Sequence, residues 1–169
     1  MDAEQLRAAQ APLKARYRDD PASARSTLRA RGTLGARDLT CTVDSDLGPI
    51  VAGLHPMTGG AGASACSGDM LLQALVACAG VTLRAVATAL GINVRGGLVT
   101  AEGDLDFRGT LGVSKEVPVG FEKVRLRFEL DTDANPDQIA NLLRLTERYC
   151  VIYQTLKSPP AIEASIGTS

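Results

Sequence analysis

Few residues in this 169-residue chain have side chains suited to nucleophilic or redox chemistry. Four are cysteines, Cys41, Cys66, Cys78 and Cys150, and a fifth is the single histidine, His55. A thiol works as a nucleophile or redox centre only as the thiolate, which needs a nearby cation, a metal or a helix amino end. No CxxC pair occurs. A zinc set drawn from His55, Cys66, Cys78 and Cys150 follows no standard ligand spacing, so no metal or other cofactor is expected. Cys41 shares an alternating strand face with Leu39 and Val43 and reads as packing, while Cys66 lies in a loop of small residues. Cys78 falls in an apolar run, with Ala74, Leu75, Val81 and Thr82 as its neighbours at helical spacing. That setting suits either an inert packed sulfur or a reactive one whose activating cation arrives from elsewhere. So deep in its helix, Cys78 gains nothing from that helix's own dipole, which fades within a turn. Cys150 begins a short segment after Glu147 and Arg148, where a helix amino end would favour its thiolate.

The elements that must position these thiols follow from periodicity. Residues 3–18 and 21–30 read as two short helices, the second capped by Asp20 with Pro21 as its first residue. Pro12 interrupts the first or begins its second half. Gly32 and Gly35 mark a turn into a strand over 38–44, and Asp46-Leu47-Gly48-Pro49 reads as a hairpin turn into a second strand over 50–54. The small-residue loop 55–68 lacks the Gly-Lys-Ser/Thr ending of a phosphate loop, so nucleotide binding is not supported. Residues 70–90 are apolar nearly all round, which predicts a helix buried on most sides, capped by Ser67 or Asp69 and closed by Gly91. Period-two alternation over 99–107 and 123–130 predicts an antiparallel pair with one wet face, joined by a long hairpin end containing Pro118. A helix opening near Pro136 runs to Arg148, a shorter one spans 149–157, and a closing strand is expected over 161–166 after Pro159-Pro160. Strands grouped as hairpins give an α+β class, with a helical extension over 1–31 and one domain over 32–169.

Composition removes several function classes. The chain is 45% hydrophobic, and 18 Lys+Arg stand against 19 Asp+Glu, which leaves no basic footprint for nucleic acid. Aromatics are 4% and Trp is absent, so stacking platforms for bases or sugars are not expected. The polar start, Met1-Asp2-Ala3-Glu4-Gln5, has no apolar core of a secretion signal. No stretch reaches the roughly 18 uninterrupted apolar residues of a membrane span. A cytoplasmic protein with reduced thiols and no membrane partner is the expectation.

Two stretches carry a family resemblance. Leu71-Leu-Gln-Ala-Leu-Val-Ala-Cys78-Ala-Gly-Val-Thr-Leu-Arg84 is similar to the central helix of the OsmC/Ohr family, with its first active-site cysteine at Cys78. Glu147-Arg-Tyr-Cys150-Val-Ile-Tyr-Gln-Thr-Leu156 resembles that family's second cysteine motif, and residues 117–130 resemble the strand between them. The likeness spans roughly residues 32–166. It implies an intertwined α+β homodimer, with antiparallel sheets wrapped around paired central helices and active sites at the interface. It also implies reduction of organic hydroperoxides, with Cys78 attacking, Cys150 resolving, and a dithiol or lipoyl-type reductant restoring the pair. An arginine from the strand region, Arg37 in preference to Arg31, and an acid at the start of the central helix, Asp69, complete the implied site. Asp69 is shorter than the usual Glu, Val151 stands where the family often has Pro, and Cys66 has no implied role. On one helix Asp69 and Cys78 are about 900° of rotation apart and face opposite sides, so Asp69 cannot serve the Cys78 of its own helix. The rival readings are a ligand-binding or structural dimer with the same fold, and a thiol-based redox sensor.

Overall fold

A computed structural model describes residues 1–168. The first helix, α1 (Ala3–Asp19), runs through Pro12 and opens on a reciprocal cap. The Asp2 carboxylate accepts from the Gln5 amide at 2.8 Å, and the Gln5 side chain accepts from the Asp2 amide at 3.0 Å. The second expected helix shrinks to a single tight turn, Pro21–Ala24, capped by Asp20 as anticipated, and the chain is then irregular to residue 31. The one large apolar residue beyond that turn, Leu28, is 92% exposed, so residues 25–31 have no face to bury and nothing to hold them helical.

Three short strands follow, β1 (Gly32–Leu34), β2 (Thr40–Val43) and β3 (Ile50–Gly53), paired antiparallel in that order. Reading Gly32 and Gly35 only as a turn misses β1, whose Gly32 lies so close to the Cys41 sulfur that a Cβ would come within 2.7 Å of it. Beyond a bridge from Ala52 to Ala65, this sheet makes no extended packing contact with the rest of its own chain among the described residues.

The central helix α2 (Ser67–Leu90) is 24 residues long, enough in length and composition to cross a bilayer, but one side of it is a core side. Leu75, Ala79, Leu83, Val86 and Ala87 are buried there. Its expected cap is corrected: Cys66, not Ser67 or Asp69, occupies the N-cap and makes no side-chain capping bond. Gly91 ends the helix at φ 69°, a left-handed conformation that Gly adopts without a Cβ penalty. The expectation of burial on most sides is corrected too. Leu71, Ala74, Ala77 and Val81 form an exposed stripe along the opposite flank, with Val81 at 72%.

Strands β4 (Val94–Asp104) and β5 (Lys123–Thr132) form the long antiparallel pair, with Val99 opposite Phe128 and Ala101 opposite Leu126. Phe128 and Leu130 pack on the core made by Leu83, Val86, Ala87, Ile92, Val94 and Leu142. Charged side chains of the strands pair in solvent, Arg125 with Glu102 and Asp104, and Arg95 with Asp131 at 2.6 Å. A short helical turn, α3 (Phe107–Thr110), sits in the connection, where the Asp106 carboxylate accepts the Arg108 amide at 2.9 Å. Helices α4 (Pro136–Tyr149) and α5 (Val151–Lys157) then pack on α2 and meet at Cys150. The expected closing strand over 161–166 does not form. A strand exists only by pairing, and this segment reaches no partner edge among the described residues, leaving Ile162 and Ile166 almost fully exposed.

Candidate active site

Cys78 and Cys150 are far apart in sequence and meet in the fold. α2 carries Cys78 on the flank where α5 packs, and the break between α4 and α5 brings Cys150 opposite it. Cys150 closes α4 with its amide donating to the Thr146 carbonyl at 2.9 Å, and its own carbonyl accepts the Gln154 amide at 3.0 Å to start α5. It therefore holds a fixed backbone position, 1% exposed, with its thiol beside that of Cys78. Cys78 is half-buried, and both cysteines are free thiols.

The two thiols are driven apart electrostatically. Burial pushes Cys78 up, but the Ile152 amide, the Cys150 thiol, the Val151 amide and the Thr82 hydroxyl all act on its sulfur as donors. Together they hold it below the ordinary thiol value. Burial is also the chief influence on Cys150 and raises it. The neighbouring Cys78 adds to that rise, and the Tyr153 and Ile152 amides only partly offset it. Cys78 therefore ionises first and Cys150 remains the proton-bearing partner, an order that suits an attacking thiolate and a resolving thiol.

The amides that act on Cys78 belong to the amino end of α5, not to its own helix, whose dipole is not expected to reach it. One expectation is corrected: Cys150, expected to gain from that end, is instead pushed up by burial, which the Tyr153 and Ile152 amides offset only in part. The remaining candidates lie elsewhere within the chain. Arg37 is exposed on the bend between β1 and β2, and Asp69 lies in the first turn of α2, roughly 13 Å along the axis from Cys78. No arginine or lysine is among the groups acting on the Cys78 sulfur within the described residues. The donors that do act there leave little trace in the sequence. Thr82 is visible as the i+4 neighbour of Cys78, whereas the amides of Val151 and Ile152 carry no side-chain signature at all.

Asp69 instead borders a cavity of about 570 Å³ at the amino end of α2. Leu54, Leu72 and Phe121 line it, together with His55 and Cys66. The His55 ring stacks on Phe107 with centroids 4.8 Å apart, and its Nδ1 accepts the Met57 amide at 3.0 Å. No group of three or more metal-ligating side chains gathers there or elsewhere among the described residues.

The sequence profile described as OsmC-like protein matches residues 60–165. No curated protein is significantly similar in sequence. Among solved structures, the OsmC-like protein of Mycoplasma pneumoniae is similar with a TM-score of 0.66 at 19% identity, over 79% of this chain and 89% of that one. An organic hydroperoxide resistance protein of Legionella pneumophila gives 0.61 at 19% identity, over 79% and 90%. Another, from Elizabethkingia anophelis, gives 0.62 at 19% identity, over 80% and 91%. At these identities the structural likeness establishes the α+β fold. The profile match covers more than half of the sequence and establishes the kinship: this chain belongs to the OsmC-like protein family.

Proposed function

We propose that this protein is a cysteine-dependent peroxidase that reduces organic hydroperoxides. The observation that carries the reading is the meeting of two distant thiols whose acidities are pushed in opposite directions. The Cys78 thiolate attacks the terminal oxygen of ROOH. The O–O bond breaks, RO⁻ leaves and takes up a proton to give ROH, and Cys78 becomes the sulfenic acid. The Cys150 thiol then condenses with it, forming the disulfide and releasing water. A dithiol of the lipoyl type reduces that disulfide by exchange and is itself oxidised to its cyclic disulfide. Family membership supports this chemistry, as do the names of the Legionella and Elizabethkingia relatives, which are organic hydroperoxide resistance proteins.

The working unit in this reading is a homodimer. Two features support it: the exposed apolar stripe on α2, and a β1–β3 sheet that packs on no other helix or strand of its chain to any extent among the described residues. A second copy is also the route by which Arg37 or Asp69 would approach Cys78. The reducing cytoplasm is the compartment in which the dithiol cycle would run.

Turnover of tert-butyl hydroperoxide with dihydrolipoamide tests the proposal. Cys78→Ser is expected to abolish turnover, and Cys150→Ser to allow one oxidation without efficient recycling. Full turnover by Cys78→Ser sinks the reading. Oxidation of the wild type without turnover would instead identify a redox sensor.

A further inference from the structure

We propose that the cavity of about 570 Å³ at the amino end of α2 binds a small uncharged alcohol, with an alkyl or aryl body and a hydroxyl head that His55 recognises. The peroxidase reading does not use His55, and the inference does not depend on it. Three parts of one chain build the walls: the loop that starts at His55, the first turns of α2, and the far end of β4 together with residues 119–121. A loop so rich in small residues would be expected to move, but this one is pinned. The His55 carbonyl accepts from the Thr58 amide at 2.8 Å, the Thr58 hydroxyl at 2.8 Å and the Gly60 amide at 3.1 Å. A Cβ at Gly60 would lie 1.8 Å from the Leu54 carbonyl oxygen, so the chain closes this tightly only with glycine there. Another wall is the Phe121 ring, seated on Gly103 of β4, where a Cβ would come within 2.6 Å of it. A site held in this way is formed before any ligand arrives, as small-molecule sites usually are.

The His55 ring has one polar position left to offer. Its Nδ1 accepts the Met57 amide at 3.0 Å, so that nitrogen carries no proton. One face is taken by the Phe107 ring, 4.8 Å away between centroids. The ring's single proton is then on Nε2, which donates to no protein atom among the described residues and is not sealed from solvent. That N–H calls for an oxygen acceptor. Among the described residues no lysine or arginine lines the cavity, and its one charged group is the Asp69 carboxylate, so carboxylates and phosphates are disfavoured there. Asp69 and the Thr58 hydroxyl, which already donates to the His55 carbonyl, are acceptors. A hydroxyl head both accepts and donates and so suits both kinds of wall group, whereas a ketone only accepts and an ammonium only donates. Most of the remaining wall is apolar. Leu54 and Val119 are 43% and 63% exposed, surface that an alkyl or aryl body would cover.

The test uses the full-length protein and Nile red, an uncharged fluorophore that brightens in apolar surroundings, displaced in turn by octanol, octanoate and octylamine. Octanol is expected to displace the dye at concentrations several-fold below those needed with the other two. His55→Phe keeps a ring against Phe107 and lacks the N–H, so octanol should bind several-fold more weakly while the dye still brightens. Leu72→Trp fills the cavity from α2 and should abolish the dye signal, which keeps the site testable if the His55 loop does not survive its own substitution. Val81→Arg charges the exposed stripe of α2 and should leave the signal unchanged. Octanoate displacing as readily as octanol overturns the alcohol assignment, and so does octylamine displacing in preference to it, which would move recognition to Asp69 alone. Octanol affinity unchanged in His55→Phe removes the role of His55. A dye signal kept in Leu72→Trp and lost in Val81→Arg places the ligand on the stripe and overturns the cavity site.

Discussion

At the scale of single residues the site is a pair of like groups made unlike by where each sits. Cys78 is half-buried and surrounded by donors, and Cys150 is wholly buried and serves as one of them. Alkylation should therefore reach Cys78 at a pH below that of an ordinary thiol, and Cys150 only above it. The sign follows from the charged state. Donors favour the thiolate of Cys78, so its reactive fraction grows as pH rises through a lowered midpoint, whereas burial delays the same change at Cys150. Equal midpoints for the two would contradict this ordering. The backbone share can be removed on its own. Val151 is the first residue of α5, a position that tolerates proline because its amide has no partner within the helix, and Cys150 before it is already extended. Val151→Pro deletes one donor to the Cys78 sulfur without breaking the helix, and the Cys78 midpoint should rise while the far-UV circular dichroism stays unchanged.

At the scale of elements, what places Cys150 is the start and end of α4. Asn135 opens it with a reciprocal cap, its side chain accepting the Gln138 amide at 2.9 Å while the Gln138 side chain accepts the Asn135 amide at 2.9 Å. Asn135→Ala should cost about 1 kcal/mol in a denaturant titration. A loss too small to measure would mean that packing of Leu142 and Thr146 alone fixes the helix. Elements of this kind are legible from sequence, because Asn-Pro at the start of α4 and Gly91 at the end of α2 are local signals with local causes. So are both thiols, once the two cysteine stretches are compared with a family. Strand β1 is not legible, because three residues beginning with a glycine carry no alternation. The helix expected over 21–30 and the strand expected over 161–166 fail for a different reason. Each pattern suits its element, but nothing among the described residues buries the one or pairs with the other. The α5 donors escape because they depend on how two helices dock, which no spacing records.

At the scale of the whole molecule the single chain leaves two features without support. An apolar stripe runs along its longest helix, and a three-stranded sheet packs on no other helix or strand to any extent among the described residues; both favour the proposed association with a second copy. Val81→Arg places a charge in the middle of that stripe and should shift the species seen by light scattering toward the monomer. A wild-type mass equal to one chain would remove the homodimer from the proposed function. The docking of α5 on α2 has a further consequence for how this protein tolerates change. Donors that belong to the backbone are inherited with the fold, whatever side chains stand at 151 and 152, proline excepted. An alanine scan across α5 would leave them in place, and a comparison of residue types would pass over them. The acidity of Cys78 is in that sense partly anonymous: the backbone's share of it can drift only when α5 itself moves.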